Sequence, residues 1–197
     1  MKQGRPEVRT NGIAAFVAFF VLVLATSASA QTTWQYRGVT FTPRAGWCGA
    51  EGVDAGGVTS FVMRSCDGQW PQLSTAPMFP AGSPVAQMSV EEITSRLMAH
   101  SASPSEHERV AEIGRRISPQ CVMANYATDG NQMPGIRTIG VLATFQCPQM
   151  VAYNNITVVV RGRDGAIWGI AADFGAMPIT PDDIAQMRGL IAAIGQQ

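Results

Sequence analysis

The sequence predicts an α+β domain in which two or three helices pack on an antiparallel sheet of about five to six strands, cross-linked by two hairpin disulfides. Three observations support this fold class. Four cysteines form two pairs, and each pair flanks a segment rich in turn residues. Apolar and polar residues alternate over 139–161, which is typical of strands. Segments with capping residues and helical apolar spacing lie on either side of this region.

The chain begins with a segment typical of a secretory signal peptide, predicted to span residues 1–30. Basic residues precede an apolar run over 13–25, and small residues follow it. Cleavage is expected between Ala30 and Gln31. The run is shorter than a membrane-spanning helix, which needs about 20 apolar residues. We therefore expect a single domain over 31–197, periplasmic or secreted from a bacterium, with no stable membrane anchor after cleavage.

The predicted mature chain has little net charge and no lysine. Removing Lys2, Arg5, Arg9 and Glu7 from 14 basic and 14 acidic residues leaves eleven arginines and thirteen carboxylates, a balance of about −2. Such a chain has no basic field to attract nucleic acid. The absence of lysine also excludes Schiff-base catalysis and a P-loop phosphate site.

The cysteines predict two local disulfides. An even number of cysteines in an exported protein is typical of a disulfide framework. Cys48 and Cys66 are equidistant from a Gly-rich turn, and Cys121 and Cys147 are equidistant from Pro134. Residues equidistant from a hairpin turn face each other, so these two pairs are favoured over the two other connectivities. A metal or redox role is not favoured, because neither spacing is C-x-x-C.

The first elements of the domain are short. Residues 33–37 and 39–43 are predicted strands that lead into the first disulfide hairpin, whose second strand is 59–66. A capping box precedes a helix predicted over 90–100. The next segment, 108–117, fits either a helix or a strand on periodicity alone.

Between the first hairpin and the first helix lies a Pro-rich segment without clear periodicity. We predict that 67–88 is a long loop, and loops of this length are uncommon unless they bind a partner or cover a core. Its large apolar residues, Trp70, Met78 and Phe79, are the candidate binding residues. Covering the edge of the core is the alternative role for these side chains.

The second half of the domain is predicted as a meander followed by a helix. Strands are expected over 139–147, 153–161 and 166–174, with an Asp-Gly turn before the last. That register places Arg161 opposite Trp168, which predicts a cation–π pair. A capped terminal helix follows, and its apolar stripe is expected to lie on the sheet.

Stretches near the two ends of the domain carry a family resemblance. VTFTPRAGW, followed much later by GAIWGIAADF and DDIAQMRGLIAAIG, resembles the PsbP-like and DcrB-like families. The match covers about a quarter of the mature chain, which departs from the families in its four cysteines and its Pro-rich segment. The resemblance implies a sandwich of sheet and helices with a binding or accessory role and no active site. It also favours a strand over a helix at 108–117, the segment that periodicity leaves open.

No catalytic motif appears in the sequence. There is no Gly-x-Ser-x-Gly elbow, His-Glu-x-x-His helix, phosphate loop or EF-hand loop. His100 and His107 are predicted to be exposed, so neither a metal site nor a cofactor is expected. We expect a non-catalytic exported protein that binds a protein or envelope component. The alternative is a small hydrolase with paired carboxylates drawn from residues such as Asp54, Asp129 and Asp173, because such pairs leave no local signature.

Overall fold

The computed structural model describes residues 33–36, 38–53, 59–66, 71–147 and 151–195. The predicted signal peptide and its cleavage site lie outside these residues, as do Asp54 and Trp70. Within the described ranges the strands are β1 (Trp34–Tyr36), β2 (Val39–Phe41), β3 (Trp47–Val53), β4 (Thr59–Ser65), β5 (Gln72–Phe79), β6 (Val122–Asp129), β7 (Ile139–Gln146), β8 (Val151–Arg161) and β9 (Ile167–Asp173). The helices are α1 (Val90–Ser101), α2 (Pro104–Ile117) and α3 (Pro181–Ile194).

Seven of the described strands form one antiparallel sheet, in the order β3-β4-β5-β9-β8-β7-β6. Strands β1 and β2 form a separate hairpin. The predicted α+β class is confirmed, and the main sheet is larger than the five to six strands expected. The difference arises because β5 lies in a segment that the sequence predicts to be a loop.

The predicted loop over 67–88 is wrong for its central part, which is strand β5. This strand pairs with β4 on one side and with β9 on the other. Its buried positions include small and polar residues, so the apolar alternation that marks a strand is weak in the sequence. Pro77 is tolerated because the register of β5 against β9 shifts between Pro77 and Phe79.

The strand implied for 108–117 is also wrong, because this segment belongs to helix α2. The Ser103 side chain accepts a hydrogen bond from Glu106 N, and proline occupies the first turn. Close packing fixes the position of the helix: a Cβ at Gly114 would overlap the ring of Phe145 on the sheet. Val110, on this helix, is fully buried in one apolar cluster with Val141 and Phe145 of the sheet.

Helix α3 and the β1–β2 hairpin cover one face of the sheet, which we call the α3 face. Its core is one continuous cluster rich in aromatic side chains. The indole of Trp34 stacks on Phe61 with ring centroids 4.9 Å apart, and it meets Trp168 edge-on at 6.2 Å. All three side chains are almost fully buried.

Helices α1 and α2 pack on the opposite face, which we call the α1–α2 face. Two smaller clusters lie there. One joins α1 to β8 and β9 through residues such as Ile93, Leu97 and Ile167, and the other joins α2 to β7 through Val110 and Phe145. Within the described part of the chain, no helix is both long enough and apolar enough to cross a membrane.

The first and last of the three stretches that carry the family resemblance are in contact in the structure. Trp47 Nε1 donates a hydrogen bond to Asp182 Oδ2 at 3.1 Å, and Arg44 Nη1 lies 3.0 Å from Asp182 Oδ1. Gly46 has a φ of 86°, which permits the turn that brings Trp47 onto the first turn of α3. The Pro-Arg-Ala-Gly-Trp segment therefore fixes the start of the terminal helix.

Both predicted disulfides, Cys48–Cys66 and Cys121–Cys147, are confirmed. The second links directly opposed positions, because the adjacent residues Val122 and Gln146 are a register pair. The first is diagonal, because Cys48 pairs with Arg64 rather than with Cys66. A diagonal pair is still close enough, with the two Cα atoms 5.0 Å apart.

Candidate functional site

A cleft opens where strand β7 stops short of the end of β8. Strand β7 begins at Ile139, whose partner is Thr157, whereas β8 continues to Arg161. Residues 158–161 therefore pair with β9 on one side and have no strand partner among the described residues on the other. The space at this edge, which we call the β8 cleft, has a volume of about 490 Å³. It occupies the place that a longer β7 would fill.

Two helices and a turn form the walls of the β8 cleft. Helix α1 contributes Val90, Glu91 and Thr94 from its first two turns, and α3 contributes Ile191. The turn at 135–137 closes one end. Because α1 and α3 lie on opposite faces of the sheet, the cleft is a slot along the strand edge between the two helices.

The turn that closes the cleft is held in place by hydrogen bonds. Arg188 Nη2, on α3, donates to Pro134 O at 2.9 Å, and Thr138 N donates to Gly130 O at 3.0 Å. Gly135 has a φ of 73°, a conformation that favours glycine. The end wall of the cleft is thus ordered by the protein itself.

Arg161 lies at the floor of the cleft and does not form the predicted pair with Trp168. Its Nη2 donates to Met88 O at 2.6 Å, and its Nη1 donates to Ala86 O. The register places Arg161 opposite Ile167, so Trp168 points to the α3 face instead. Arg161 therefore anchors the segment before α1.

The rim of the cleft carries two charges of opposite sign, Glu91 on α1 and Arg137 on the turn. Both residues are exposed. No residue in the described ranges forms a hydrogen bond or an ion pair with either side chain. Both charges are available to a bound molecule.

A second group of polar residues lies under the junction of α1 and α2. Glu106 is 2% exposed, and Arg109 Nε donates to its Oε2 at 2.8 Å while Arg109 Nη2 donates to Oε1. Burial alone would lower the pKa of Arg109, but the hydrogen bonds and charge of Glu106 raise it above its ordinary value. Both carboxylate oxygens are engaged by one guanidinium, which makes this pair structural rather than catalytic.

The two histidines lie beside this ion pair. His100 Nε2 is 3.9 Å from Glu106 Oε2, and the side chain is partly exposed. The His107 ring meets the ring of Tyr126 edge-on at a centroid distance of 5.1 Å. In the described parts of the chain, no three His, Cys, Asp or Glu side chains come together as metal ligands.

Two of the three predicted binding residues, Met78 and Phe79, lie among the described residues. Met78 and Phe79 are half-buried at the end of β5, where they pack against the cluster beneath α1. That packing accounts for their apolar character without a partner. Trp70 lies outside the described residues, so the predicted binding role of this set stays a prediction.

The carboxylates of the hydrolase alternative are separated by the sheet. Asp129 pairs with Gly140 on β7, which in turn pairs with Ile156 on β8. Ile156 belongs to the core of the α3 face, so the Asp129 side chain points to that face. Asp173 pairs with Asn155, the preceding residue of β8, so its side chain points to the opposite face. The two carboxylates therefore do not form a pair, and Asp54 lies outside the described residues.

Asp173 nevertheless has an unusual environment. Burial raises the pKa of its carboxyl from 3.8 to about 6, although the hydrogen bond that Gly175 N donates to Oδ1 opposes this shift. Burial, and to a smaller extent the charge of Asp173, raises the pKa of Tyr153, which lies on the same face of the sheet. Among the described residues, no second carboxylate contributes to its environment, and glycoside hydrolysis requires a pair.

No pattern in the sequence predicts the β8 cleft. The two neighbouring predicted strands, 139–147 and 153–161, have equal lengths, so a turn at 148–152 would leave their ends level and predict no cleft. In the structure Ile139 pairs with Thr157, so β8 extends four residues beyond the start of β7. The adjacent Pro134-Gly135 turn indicates where the chain leaves the sheet.

Comparison with solved structures finds weak similarity. No protein-family model matches the chain, and no curated protein matches it. The chain is similar to the solution structure of cyanobacterial PsbP (CyanoP) from Synechocystis sp. PCC 6803, with 12% sequence identity and a TM-score of 0.32. The similarity covers 87% of this chain and 95% of that one. The weak PsbP-like resemblance is confirmed, and a TM-score this low carries no argument about function.

Proposed function

We propose that the protein is a non-catalytic, exported binding or accessory protein that holds a protein partner of the cell envelope in the β8 cleft. The observation that carries this proposal is the cleft itself. It combines a strand edge with apolar walls and two rim charges that no described residue neutralises. A concave apolar site with a few polar groups is the usual form of a binding site.

The placement of the ionisable groups supports binding rather than catalysis. Glu106 is occupied by Arg109, and Asp129 and Asp173 point to opposite faces of the sheet. The groups at the rim of the cleft, Glu91 and Arg137, are exposed, which suits contact with a partner.

Export is supported by the disulfides and by the predicted signal peptide. Both disulfides together use all four cysteines, and structural disulfides persist in oxidising compartments. We expect the protein purified from a bacterial periplasm to begin at Gln31. Amino-terminal sequencing of that material checks the cleavage site, and a mature chain that still begins at Met1 contradicts export by this route.

Site-specific photocrosslinking tests the proposed function. A photoreactive amino acid replaces Glu91 or Arg137 at the rim, or Ala99 as a control on the exposed side of the same helix α1. The protein is exported in cells, irradiated and purified under denaturing conditions. We expect both rim positions to give the same covalent adduct, identified by mass spectrometry, and Ala99 to give none. Equal adducts from all three positions, or no adduct from the rim, contradict the proposal.

A further inference from the structure

We infer that the occupant of the β8 cleft is an extended peptide segment, which adds to the sheet as a strand beside residues 158–161. This inference rests on the proposed function and specifies the chemistry of the partner. The added strand would continue the ladder that β7 begins at Ile139. It would lie between α1 and α3, in the slot that those helices leave open.

The backbone of β8 supplies the first argument. In an antiparallel ladder, successive residues direct their N–H and C=O groups to alternate sides of the strand. Within 158–161 the even-numbered residues direct these groups to β9, and Val159 and Arg161 direct theirs to the cleft, where they have no strand partner in the described chain; beyond them the edge ends where Gly162 bridges Gly195. Val158, Val159 and Val160 are each at most 7% exposed. Hydrogen bonds formed at this edge would therefore be poorly screened by water, which strengthens them.

The side chains around the cleft supply the second argument, because they differ between its two walls. Val158 and Val160 point to the α3 face, where Ile191 also packs. The α1 wall is more polar and includes Thr94 and Glu91. Side chains of an added strand would point alternately to these two walls. The cleft therefore fits a segment in which apolar residues alternate with polar residues.

The state of the cleft before binding supplies the third argument. The Arg161 guanidinium already donates to two backbone carbonyls, so it offers little to orient a compact polar ligand. The turn that closes the cleft is held by Arg188 and by Thr138. A site that is formed in advance loses less free energy to ordering when a peptide binds. Main-chain pairing is then the dominant interaction that the cleft offers.

A synthetic peptide tests this inference without changing the protein. In the probe peptide, six residues alternate between valine and threonine. One further lysine is added at each end for solubility. Binding is measured by titration, and amide hydrogen exchange is followed by NMR on the protein whose disulfides are intact. We expect the cleft-facing amides within 158–161 to become at least tenfold slower to exchange when the peptide is bound.

Two control peptides distinguish backbone pairing from nonspecific hydrophobic binding. In one, each threonine amide is N-methylated; like Val159, these residues point to the α1 face and direct their backbone groups to the shared edge, so the change removes the donors that face β8 and retains the side chains. In the other, the three valines are contiguous, so the composition is unchanged and the alternation is lost. We expect each control to bind at least tenfold more weakly, because the first loses hydrogen bonds and the second places valine against the polar wall.

The outcomes distinguish this inference from the proposed function. The inference is overturned if the alternating peptide does not bind, if N-methylation leaves its affinity unchanged, or if amides in 158–161 are not protected. If rim crosslinking at Glu91 and Arg137 succeeds in that case, the proposed function stands and the partner uses another geometry. If crosslinking at the rim also fails, both proposals are wrong.

Discussion

The two faces of the sheet differ in how they are covered. The α3 face has one continuous core built around Trp34, Phe61 and Trp168. The α1–α2 face has two smaller clusters and includes a buried ion pair, Glu106 with Arg109. From this difference we expect apolar packing on the α3 face to make the larger contribution to the free energy of folding. The opposite face contributes less apolar packing and accommodates charge.

The difference between the faces also explains the position of the β8 cleft. The cleft lies at the strand edge where the helices of the two faces approach each other, α1 on one side and α3 on the other. Strand β7 does not extend beside residues 158–161, because it begins only at Ile139, after the turn at 130–138. An open slot is left at this strand edge, between the helices of the two faces.

The strongest test of the comparison removes one large side chain from each face. Trp168→Ala is expected to lower the free energy of unfolding by about 3–5 kcal/mol, because a fully buried indole leaves a large cavity. Leu97→Ala, beneath α1, is expected to cost about 2–3 kcal/mol, near the lower limit for this substitution. Urea denaturation with intact disulfides measures both values. A larger loss from Leu97→Ala would reverse the ranking of the two faces.

The disulfides provide the next test. Replacing both cysteines of either pair with serine is expected to cost about 3 kcal/mol from the entropy of the unfolded chain alone. The sequence separations of 18 and 26 make the two entropic terms nearly equal. Cys121 is buried beneath α2, whereas Cys66 is exposed, so loss of the Cys121–Cys147 bond is expected to cost more. Equal denaturation midpoints for the two double variants would contradict this ranking.

The buried ion pair gives a smaller expected effect. Glu106→Gln leaves the guanidinium of Arg109 partly buried without its counter-charge, at an expected cost of about 2 kcal/mol. Glu112→Gln, on the exposed side of the same helix, removes contacts with Arg115 and is expected to change stability too little to measure. If both variants unfold at the same urea concentration, the Glu106 pair contributes no more than a surface pair.

The smallest expected effect is a pH dependence that arises from Asp173. Its pKa is about 6 in the folded protein and near 3.8 when unfolded, so the folded state binds the proton more tightly. The resulting stabilisation is complete below about pH 3.8 and is lost as the pH rises through 6. Asp173→Asn keeps an oxygen that can accept from Gly175 N and removes the titration.

The measurement compares unfolding free energies of wild type and Asp173→Asn from pH 4 to pH 8. Relative to the variant, the wild type is expected to lose about 1–2 kcal/mol of unfolding free energy between pH 4 and pH 8. This is somewhat less than a full shift of two pKa units would give, since each unit corresponds to about 1.4 kcal/mol. Because every other titrating group is shared, the difference between the two curves isolates this carboxyl. Parallel curves would show that Asp173 is better solvated than its position on the sheet suggests.

Sequence alone predicted the features that depend on nearby residues. Both disulfide pairs followed from their distances to hairpin turns, and the helix beginning at Val90 followed from its capping residue. The strands around 139–174 followed from alternation and an Asp-Gly turn. Turns, caps and apolar periods act over a few residues, so their signals can be read directly from the chain.

Tertiary structure decided the features that depend on which elements become neighbours. Strand β5 lies between β4 and β9 although small, polar and proline residues interrupt its apolar pattern, because its neighbours supply the hydrogen bonds and apolar cover. The same holds for the burial of Glu106, which requires Arg109 beside it under the helices. The β8 cleft arises from a difference in length between two paired strands and from the helices on either side of the sheet. No single segment encodes that space, because a cavity is bounded by residues far apart in sequence that only the folded chain brings together.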